Sequence, residues 1–341
     1  MAAFFTSFSQ LVETNPLLTV CASVGIIVLT RVLLTFVSFF LDFLTPGTSL
    51  TKYGAGKGYW AVITGCTSGI GEEFALQLAK ARFNVFLISR SESKLQSMAA
   101  LIDSEVSVET GYLPIDFNNA SEDDWETLRQ RIAELDVAVL INNVGVSHSI
   151  PVPFLETSIE EMESIVNVNN TNTLRITQIV AERMLSLKTK GVRGLILTMG
   201  SFAGLYPTPL LATYSGSKAF LQNWSSALAY ELQPYKIDVQ LEVSYLVTSA
   251  MSKIRRSSLS IPNPNTFVRA TLSSLGRRRG AIGRWGSSTP YWAHAVMELA
   301  IEQLFSAYSW VVVSINGRLH EDIRKRALKK RAQKQAATKS E

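Results

Sequence analysis

The sequence predicts an α/β fold with a doubly wound parallel sheet, an N-terminal transmembrane helix and a membrane-apposed C-terminal segment. Apolar runs alternate with segments of helical periodicity through the middle of the chain, which is the pattern of a parallel sheet covered by helices. A long apolar segment precedes that pattern and a basic tail comes after it. The 341 residues suit one large domain with appendages, and 47% hydrophobic against 18% charged residues exclude a disordered or fibrous chain.

The apolar segment 17–44 is interrupted only by Arg31 and Asp42, and it exceeds the roughly 20 residues that a helix needs to cross a bilayer. We therefore predict a membrane anchor, with residues 1–16 as a short luminal N-terminus. A cleaved signal peptide is disfavoured because Glu13 is the only charged residue in that N-terminus. The alternatives are a buried core helix, or two short interfacial pieces that avoid placing Arg31 at mid-bilayer.

Positive charge is found after the predicted anchor. Lys52 and Lys57 lie in the Gly-containing stretch 45–58, which predicts a flexible linker. The tail 318–341 carries nine Lys or Arg against three acidic residues, so it contributes +6 to a net charge of +5. The positive-inside rule places the main domain in the cytosol. The near-neutral body argues against a nucleic-acid partner, and the tail is either attracted to anionic lipid or a solvated disordered end.

Six apolar runs predict the strands of one domain over residues 59–290. Helical spacing between them predicts helices over 158–187 and 213–233, among others. The predicted strands are WAVITG (60–65), NVFLISR (84–90), GYLPID (111–116), VAVLINN (137–143), GLILTMGS (194–201) and IDVQLEV (237–243).

A glycine-rich turn, TGCTSGIG (64–71), lies between the first strand and its helix, where backbone amides and the helix N-terminus can receive a pyrophosphate. Gly65 permits the turn, Gly69 allows close approach and Gly71 allows the helix to pack on the strand. Cys66 is interpreted as a packing residue. The predicted cofactor contacts in this region are Val62, Gly65, Thr67, Ser68, Gly69, Ile70 and Gly71.

The end of the second strand predicts which dinucleotide is bound. Where an acidic residue would bind the ribose 2′-hydroxyl of NAD, this chain has Arg90 between two serines, which suits a 2′-phosphate and indicates NADPH/NADP+. The alternative is a solvated Arg at a strand end. Asp116 ends the third strand, where it either holds the adenine amine or caps the next turn of the chain.

The segment YSGSK places Tyr214 and Lys218 four residues apart, on one face of a helix. A phenol with a pKa near 10 is a poor acid at neutral pH, but a neighbouring ammonium and a cofactor charge can lower that pKa. Ser201 lies thirteen residues earlier at a strand end, and Asn169 lies on the preceding long helix. A surface Tyr with a solvated Lys is the alternative.

These motifs, together with NNVG (142–145), resemble the short-chain dehydrogenase/reductase superfamily over roughly residues 58–260 and imply a Rossmann-type sheet. The resemblance implies that Tyr214 donates the proton to the substrate carbonyl and that Lys218 binds the nicotinamide ribose and lowers the pKa of Tyr214. It also implies that Ser201 holds the carbonyl oxygen and that Asn169 positions a relay water.

The same resemblance implies further cofactor contacts at Asn143, Gly145, Val247 and Ser249. The sequence departs from the superfamily pattern in two places. Ser244 and Tyr245 stand where a Pro-Gly pair is common, which predicts a less rigid loop. Thr198 and Gly200 stand where an Asn and a Ser often precede the catalytic Ser.

A closer resemblance is to the membrane-bound branch that contains very-long-chain 3-oxoacyl-CoA reductases and the 17β-hydroxysteroid dehydrogenases of type 12, especially its fungal members. It rests on the anchor, the basic tail, LISRSESKL (87–95) and PLLATYSGSKAFLQNWSSALAYEL (209–232). It implies NADPH-dependent reduction of long-chain 3-oxoacyl-CoA in fatty-acid elongation at the endoplasmic reticulum. The implied partners are membrane lipid, other elongation enzymes and a second copy in a homodimer. The alternatives are reduction of a steroid or another lipid ketone, and a catalytically silent scaffold.

Residues about 250–285 are predicted to form a substrate lid, and residues 291–317 an amphipathic, membrane-associated segment rather than a second crossing. Arginines in the lid suit CoA phosphates, solvent or lipid headgroups equally. Two cysteines and three scattered histidines show no ligand spacing, so no metal is predicted. We expect no glycan at the sequons of Asn119, Asn169 and Asn223. The arginines are Arg255, Arg256, Arg269 and Arg277 to Arg279.

Overall fold

The structure, a computed structural model, describes residues 15–338. The chain divides into two compact units, one ending at Pro46 and the other beginning at Gly47. In the first unit the described residues form helix α1, Pro16–Leu44. The predicted luminal segment 1–16 lies outside the described residues except for its last two.

Helix α1 is continuous over 29 residues, about 44 Å at 1.5 Å per residue, and begins at Asn15, whose side chain caps Leu18 N–H. Within residues 15–338 it is the one helix long and apolar enough to cross a membrane. Most of its apolar side chains are exposed, which argues against the buried core helix. Its continuity argues against two separate interfacial pieces. The helix therefore fits a membrane anchor. It is longer than a bilayer crossing requires, so Arg31 can lie away from the bilayer centre.

The second unit is built on a parallel sheet in the order β3-β2-β1-β4-β5-β6-β7. The order reverses direction between β1 and β4, which is the doubly wound arrangement predicted by the sequence. Each of the six predicted strands is present within two residues of its predicted ends. The strands are β1 Trp60–Thr64, β2 Asn84–Ser89, β3 Thr110–Pro114, β4 Val137–Asn142, β5 Gly194–Met199, β6 Ile237–Glu242 and β7 Ser287–Ser288.

Helices cover both faces of this sheet. Short 3-10 turns occur at Leu50–Tyr53, Phe154–Glu156, Leu185–Lys188 and Gln233–Tyr235, and a π-helical turn at Asn167–Thr171. The helices are α2 Gly69–Lys80, α3 Glu92–Glu105, α4 Glu122–Ala133, α5 Ile159–Val166, α6 Asn172–Met184, α7 Phe202–Leu205, α8 Ala212–Leu232, α9 Pro264–Ser273, α10 Trp292–Leu304 and α11 Trp310–Thr338.

The core lies in two layers, one on each side of the sheet. Alternate residues of a strand point to opposite faces, so Ile63 belongs to the cluster that contains Phe74 of α2, whereas Val62 belongs to the cluster that contains Trp125 of α4. Strands β1, β2 and β4 are buried on both faces, which explains why they are near-continuous apolar runs in the sequence.

The predicted flexible linker, 45–58, differs from the structure. Gly47 and Thr48 donate backbone hydrogen bonds to Ser273 and Leu275, and Tyr53 is fully buried with its hydroxyl 2.8 Å from Asp238. Residues from Gly47 onward therefore belong to the domain. The Gly-rich composition reflects tight turns rather than a tether, since Gly54, Gly56 and Gly58 all have positive φ.

The predicted lid also differs from the structure in its middle part. Asn263 caps α9 through Thr266 N–H at 2.8 Å, and Phe267 and Val268 on that helix are fully buried. Helix α9 is thus part of the core, and the longest mostly exposed stretch of the predicted lid is 251–260. The apolar residues of this segment are spaced as on one face of a helix, and that pattern could have predicted α9. The surrounding arginines and serines obscured the pattern.

The C-terminal region forms two helices, and the boundary between them does not lie at the predicted position between residues 317 and 318. Helix α10 buries His294 and Glu298 on one face and exposes Trp292 and Val296 on the other. Helix α11 then runs without interruption from Trp310 through the basic tail to Thr338, so a disordered end does not describe residues 318–338. Residues 339–341 lie outside the described part.

Candidate active site

The candidate site lies at the carboxyl ends of β1 and β4, where the strand order reverses, which is the position at which doubly wound sheets bind ligands. Two predicted motifs meet there: the glycine-rich turn after β1 and the NNVG segment after β4. A doubly wound sheet brings them together because β1 and β4 are hydrogen-bonded neighbours despite their distance in sequence.

The glycine-rich turn needs its glycines for two different reasons. Gly65 and Gly69 have φ values of +64° and +62°, a conformation that other residues adopt at a cost. Gly71 instead lacks room: a Cβ there would lie 2.3 Å from the carbonyl oxygen of Gly65 and 2.3 Å from Nδ2 of Asn143. The first two shape the turn, and the third lets α2 pack against it.

Asn143 fastens this turn to the end of β4. Its side-chain amide donates to the carbonyl oxygens of Thr64 and Gly65 at 3.0 and 3.1 Å. The hydroxyl of Thr64 in turn accepts from the backbone N–H groups of Asn143 and Val144, each at 3.0 Å. The two motifs are therefore locked together by four hydrogen bonds, and Thr64 is a positioning residue that the sequence did not single out.

The turn fits a dinucleotide pyrophosphate. Ser68 precedes α2 and makes no side-chain capping hydrogen bond, so it does not occupy the first amides of that helix. A Cβ at Gly69 would meet only the side chain of Ser249, at 3.6 Å, which leaves space above the turn and places Ser249 beside it. The geometry thus agrees with the predicted roles of Gly65, Gly69 and Gly71.

Side chains at the ends of β2 and β3 lie along the same edge of the sheet. Arg90 is exposed directly after β2, and Ser89 hydrogen-bonds Thr67 of the glycine-rich turn at 2.9 Å. Asp116 accepts from Asn118 N–H at 3.1 Å and from the side chain of Asn119 at 3.0 Å. Asp116 therefore does cap the turn after β3, as one of its two predicted roles required.

Lys218 lies one helical turn after Tyr214 on α8. Its ammonium donates to the carbonyl oxygen of Met199 at 2.8 Å and lies 6.0 Å from the centroid of the Tyr214 ring. Burial lowers the pKa of Lys218 to about 8, so the ammonium stays protonated below that pH. A Cβ at Gly145 would be 3.7 Å from this nitrogen, which shows how closely the NNVG segment passes.

Ser201 faces Tyr214 from the end of β5. Its hydroxyl accepts a hydrogen bond from Ala203 N–H at 3.2 Å and thereby caps the N-terminus of α7. Burial raises the pKa of Tyr214, and its hydrogen bond with Ser201 opposes that rise. The protein alone thus raises a pKa that we expected to be lowered. Desolvation outweighs the hydrogen bond with Ser201, whereas the predicted lowering of the pKa also included the charge of the cofactor.

Asn169 is fully buried in the π-helical turn that interrupts the predicted helix 158–187. Its side chain accepts from Val146 N–H at 2.8 Å and donates to Val146 O at 2.9 Å and to Ser217 Oγ at 3.0 Å. Ser217 donates to the carbonyl oxygen of Tyr214 at 2.8 Å. Asn169 therefore connects the loop after β4 to the helix that carries Tyr214, and π turns are frequent at functional sites.

The departure from the superfamily pattern at Thr198 and Gly200 reflects contacts with the neighbouring strands β4 and β6. Gly200 is required because a Cβ there would lie 2.8 Å from Leu241. Thr198 accepts from the buried side chain of Asn142 at 3.3 Å. Thr198 thus connects β5 to β4, and Gly200 allows the chain after β5 to pass close to β6.

The loop after β6 is held by a histidine in place of a Pro-Gly pair. Tyr245 N–H donates to Nδ1 of His294, and Nε2 of His294 lies 3.1 Å from Ser260 O. Burial lowers the pKa of His294 to about 4, so the imidazole is neutral and acts as acceptor on one side and donor on the other. The rings of Tyr245 and Phe202 pack 5.4 Å apart. The predicted loss of rigidity is therefore offset by residues from α7 and α10.

Two of the predicted cofactor contacts, Val62 and Val247, lie in the hydrophobic core. Val62 is fully buried in the middle of β1, so its side chain cannot reach a ligand on the loop surface. Val247 is almost fully buried in the core layer that contains Ile63. Cys66 is fully buried as well, and burial raises the pKa of its thiol to about 12, in agreement with a packing role.

The family model described as short chain dehydrogenase matches residues 59–259, more than half of the chain. The chain belongs to the short-chain dehydrogenase family. Among solved structures, the short-chain dehydrogenase from Sphingobium yanoikuyae in complex with NADPH is 25% identical, with a TM-score of 0.60, and the match covers 72% of this chain and 92% of that one.

Curated relatives extend the similarity beyond the short-chain dehydrogenase domain. The very-long-chain 3-oxoacyl-CoA reductase of Scheffersomyces stipitis is 56% identical over 91% of this chain and 90% of that protein. The protein of the same name from Eremothecium gossypii is 51% identical over 98% and 97%, respectively. The similarity therefore includes the N-terminal helix and the C-terminal segments.

Proposed function

We propose that this protein reduces the 3-oxo group of long- and very-long-chain acyl-CoA thioesters to the 3-hydroxyl group with NADPH, a step of fatty-acid elongation. The observation that carries the substrate class is the identity of more than half the residues, over nine-tenths of the chain, with reductases named for that substrate. The site supports the reaction class, because Tyr214, Lys218 and Ser201 lie together beside a turn that fits a dinucleotide.

Each residue of the site has its own part in reducing the ketone. The Ser201 hydroxyl and the Tyr214 phenol hold the carbonyl oxygen, and the phenol gives it a proton as negative charge develops there. When bound, NADPH supplies the hydride that reduces carbon 3 and leaves as NADP+. Lys218 donates one of its three N–H groups to Met199 O, and the other two would hold the nicotinamide ribose of a bound cofactor. Asn169 holds the relay between Lys218 and solvent in position through its contacts with Val146 and Ser217.

A direct comparison of substrates tests the proposal against reduction of a steroid. Protein purified in neutral detergent is given NADPH and either a long 3-oxoacyl-CoA or a 17-ketosteroid, and oxidation of NADPH is monitored by absorbance. We expect turnover of the thioester. Turnover of the steroid alone would show that the substrate is a steroid rather than a thioester. Turnover of neither substrate, with NADPH still bound, would support a catalytically silent scaffold.

Replacing Arg90 by Ala tests the preference for NADPH. Loss of a charge-assisted hydrogen bond costs about 1.5–3 kcal/mol, so the KM for NADPH should rise about 10- to 100-fold while the KM for NADH stays unchanged. The Lys94→Ala variant removes an exposed cation one turn into α3 and serves as the control. A similar rise for both cofactors in Arg90→Ala would show that Arg90 does not contact the 2′-phosphate.

We infer that the protein is anchored in the endoplasmic reticulum membrane by α1, with its catalytic domain in the cytosol. The charge distribution supports this orientation, since α11 and the residues after α1 are basic. Exposed apolar side chains on α10, in the loop after it and at the start of α11 support contact with the membrane surface, where Trp and Tyr are favoured. They are Trp292, Val296, Leu304, Tyr308, Trp310 and Ile315.

Protease protection of sealed microsomes tests this orientation. A tag at the C-terminus should be digested without detergent, whereas a tag at the N-terminus should be protected until detergent is added. The opposite pattern would place the domain in the lumen, where the sequons of Asn119 and Asn223 would be open to glycosylation.

We also propose that the protein forms a homodimer and meets other elongation enzymes at this membrane. Exposed apolar residues on α5 and α8 support a contact between copies, among them Ile159, Val166 and Phe220. Sedimentation in neutral detergent would measure the mass of the assembly, and a monomer at micromolar concentration would contradict the dimer.

A further inference from the structure

Helix α11 lies across two loops that flank the candidate active site. Its Asn316 donates to the carbonyl oxygen of Pro207 at 3.2 Å, in the loop between Ser201 and Tyr214. Its Arg324 donates to the carbonyl oxygen of Pro151 at 2.9 Å, in the loop after NNVG. Arg324 also pairs with Glu156 at 2.5 Å. The basic helix is therefore fastened to both of these loops beside the candidate site.

Two cations from different segments converge on Ser149, a residue of the loop after NNVG. The ammonium of Lys253, in the exposed part of the predicted lid, donates to Ser149 O at 2.6 Å. The guanidinium of Arg331, two turns after Arg324 on α11, donates to Ser149 Oγ at 3.3 Å. Ser149 is only three residues beyond Val146, which Asn169 holds.

Neither cation is neutralised by a carboxylate. Within residues 15–338, no ion pair joins Lys253 or Arg331 to an acidic side chain within 4.0 Å. Glu161 is the carboxylate bonded to this loop, and it already accepts from Ser149 N–H at 2.9 Å and contacts His148 at 3.2 Å. Both cations are exposed, so a ligand in solution can reach them.

The backbone of Lys253 carries strain that supports a functional role. Its φ of +57° places a residue other than glycine in the left-handed region, which is unfavourable for a residue with a Cβ. That conformation is the one in which its ammonium reaches Ser149 O.

We propose that Lys253 and Arg331 together bind a phosphate of the CoA nucleotide when the acyl-CoA substrate is in place. The proposal rests on the proposed function. Ammonium and guanidinium groups are the side chains that bind phosphate, and here one comes from the lid and the other from α11, so a phosphate held by both connects the lid to the helix. The exposed apolar start of α11 lies at the other end: Ile315 precedes Arg331 by sixteen residues, about 24 Å. The helix thus offers an apolar end for the acyl chain and a basic end for the nucleotide.

The test compares two thioesters of the same 3-oxoacyl group, one on CoA and one on pantetheine, which lacks the nucleotide. The variants are Arg331→Gln, Lys253→Gln and their combination, assayed with NADPH in neutral detergent. We expect the KM for the CoA thioester to rise about tenfold or more in each single variant, because a charge-assisted hydrogen bond is lost. The KM for the pantetheine thioester, the kcat for both substrates and the KM for NADPH should not change.

Lys329→Gln is the matched control, because it removes one exposed positive charge from the opposite face of α11. An equal rise for both thioesters would show a structural role and overturn the proposal, as would an unchanged KM in the combined variant. An anionic lipid headgroup offers the same phosphate chemistry. If Arg331→Gln weakened binding to phosphatidylserine vesicles but left the KM for the CoA thioester unchanged, lipid would be the ligand. If the unsubstituted protein turned over neither thioester, the proposed function itself would fail.

Discussion

Replacing Tyr214 by Phe is expected to lower kcat for ketone reduction by about 10³-fold, within the range of about 10² to 10⁴ that general acid catalysis contributes. The substitution removes the hydroxyl that faces Ser201 and gives the proton to the carbonyl oxygen, and it keeps the aromatic ring near Lys218. NADPH affinity, measured by the fluorescence of the bound nicotinamide, should change little. A lower kcat together with an unchanged NADPH affinity would distinguish loss of the proton donor from loss of the cofactor.

The matched control is Tyr230→Phe, which removes a phenol hydroxyl from an exposed position on the same helix. It should leave kcat, KM and the melting temperature unchanged. Turnover by Tyr214→Phe at the rate of the unsubstituted protein would refute the proton-donor role. A parallel loss of NADPH binding would mean that the phenol acts by shaping the cofactor site.

Replacing Gly71 by Ala is expected to disrupt the cofactor site. The new Cβ would lie 2.3 Å from the backbone oxygen of Gly65 and from the amide nitrogen of Asn143, far inside any normal contact. Helix α2 or the glycine-rich turn must shift, and the hydrogen bonds from Asn143 to Thr64 and Gly65 must lengthen. We expect an overpacking cost of about 1–3 kcal/mol in the free energy of unfolding, and a loss of NADPH affinity of at least about tenfold.

Gly216→Ala is the control for this substitution. Gly216 lies on α8 between Tyr214 and Lys218, and a Cβ there meets nothing within 4 Å. Alanine is the better helix former by about 1 kcal/mol, so the melting temperature should stay equal or rise, and NADPH should still bind. Thermal unfolding monitored by circular dichroism, with and without NADPH, would measure both variants. Normal NADPH affinity in Gly71→Ala would contradict the tight packing of α2 on the turn.

The strands and the catalytic helix could be predicted from sequence because each depends on local patterns. The run VAVLIN is buried on both faces of the sheet, and the spacing of Tyr214 and Lys218 is fixed by one helical turn. The meeting of the glycine-rich turn with NNVG is a consequence of the strand order. The alternation of strands and helices predicts that order, together with the family resemblance.

The supporting contacts could not be predicted because they join residues far apart in the chain. His294 holds the loop after β6 across 49 residues, and Arg331 reaches Ser149 across 182. The spacing of apolar residues along the chain gives no information about such pairs. The π-helical turn around Asn169 was hidden for a related reason, since one extra residue in a turn barely alters a helical pattern. The direction of the pKa shift of Tyr214 depends on burial, which a motif does not reveal.

The most direct test of the central claim is transfer of deuterium from NADPH labelled at the transferring position of its nicotinamide. The purified protein is mixed with a long-chain 3-oxoacyl-CoA and the labelled cofactor, and the product is analysed by mass spectrometry. We predict a 3-hydroxyacyl-CoA that carries one deuterium at carbon 3, formed by the unsubstituted protein and at a rate about 10³-fold lower by Tyr214→Phe. Absence of labelled product from the unsubstituted protein, with NADPH bound, would contradict the assignment of this protein as a 3-oxoacyl-CoA reductase.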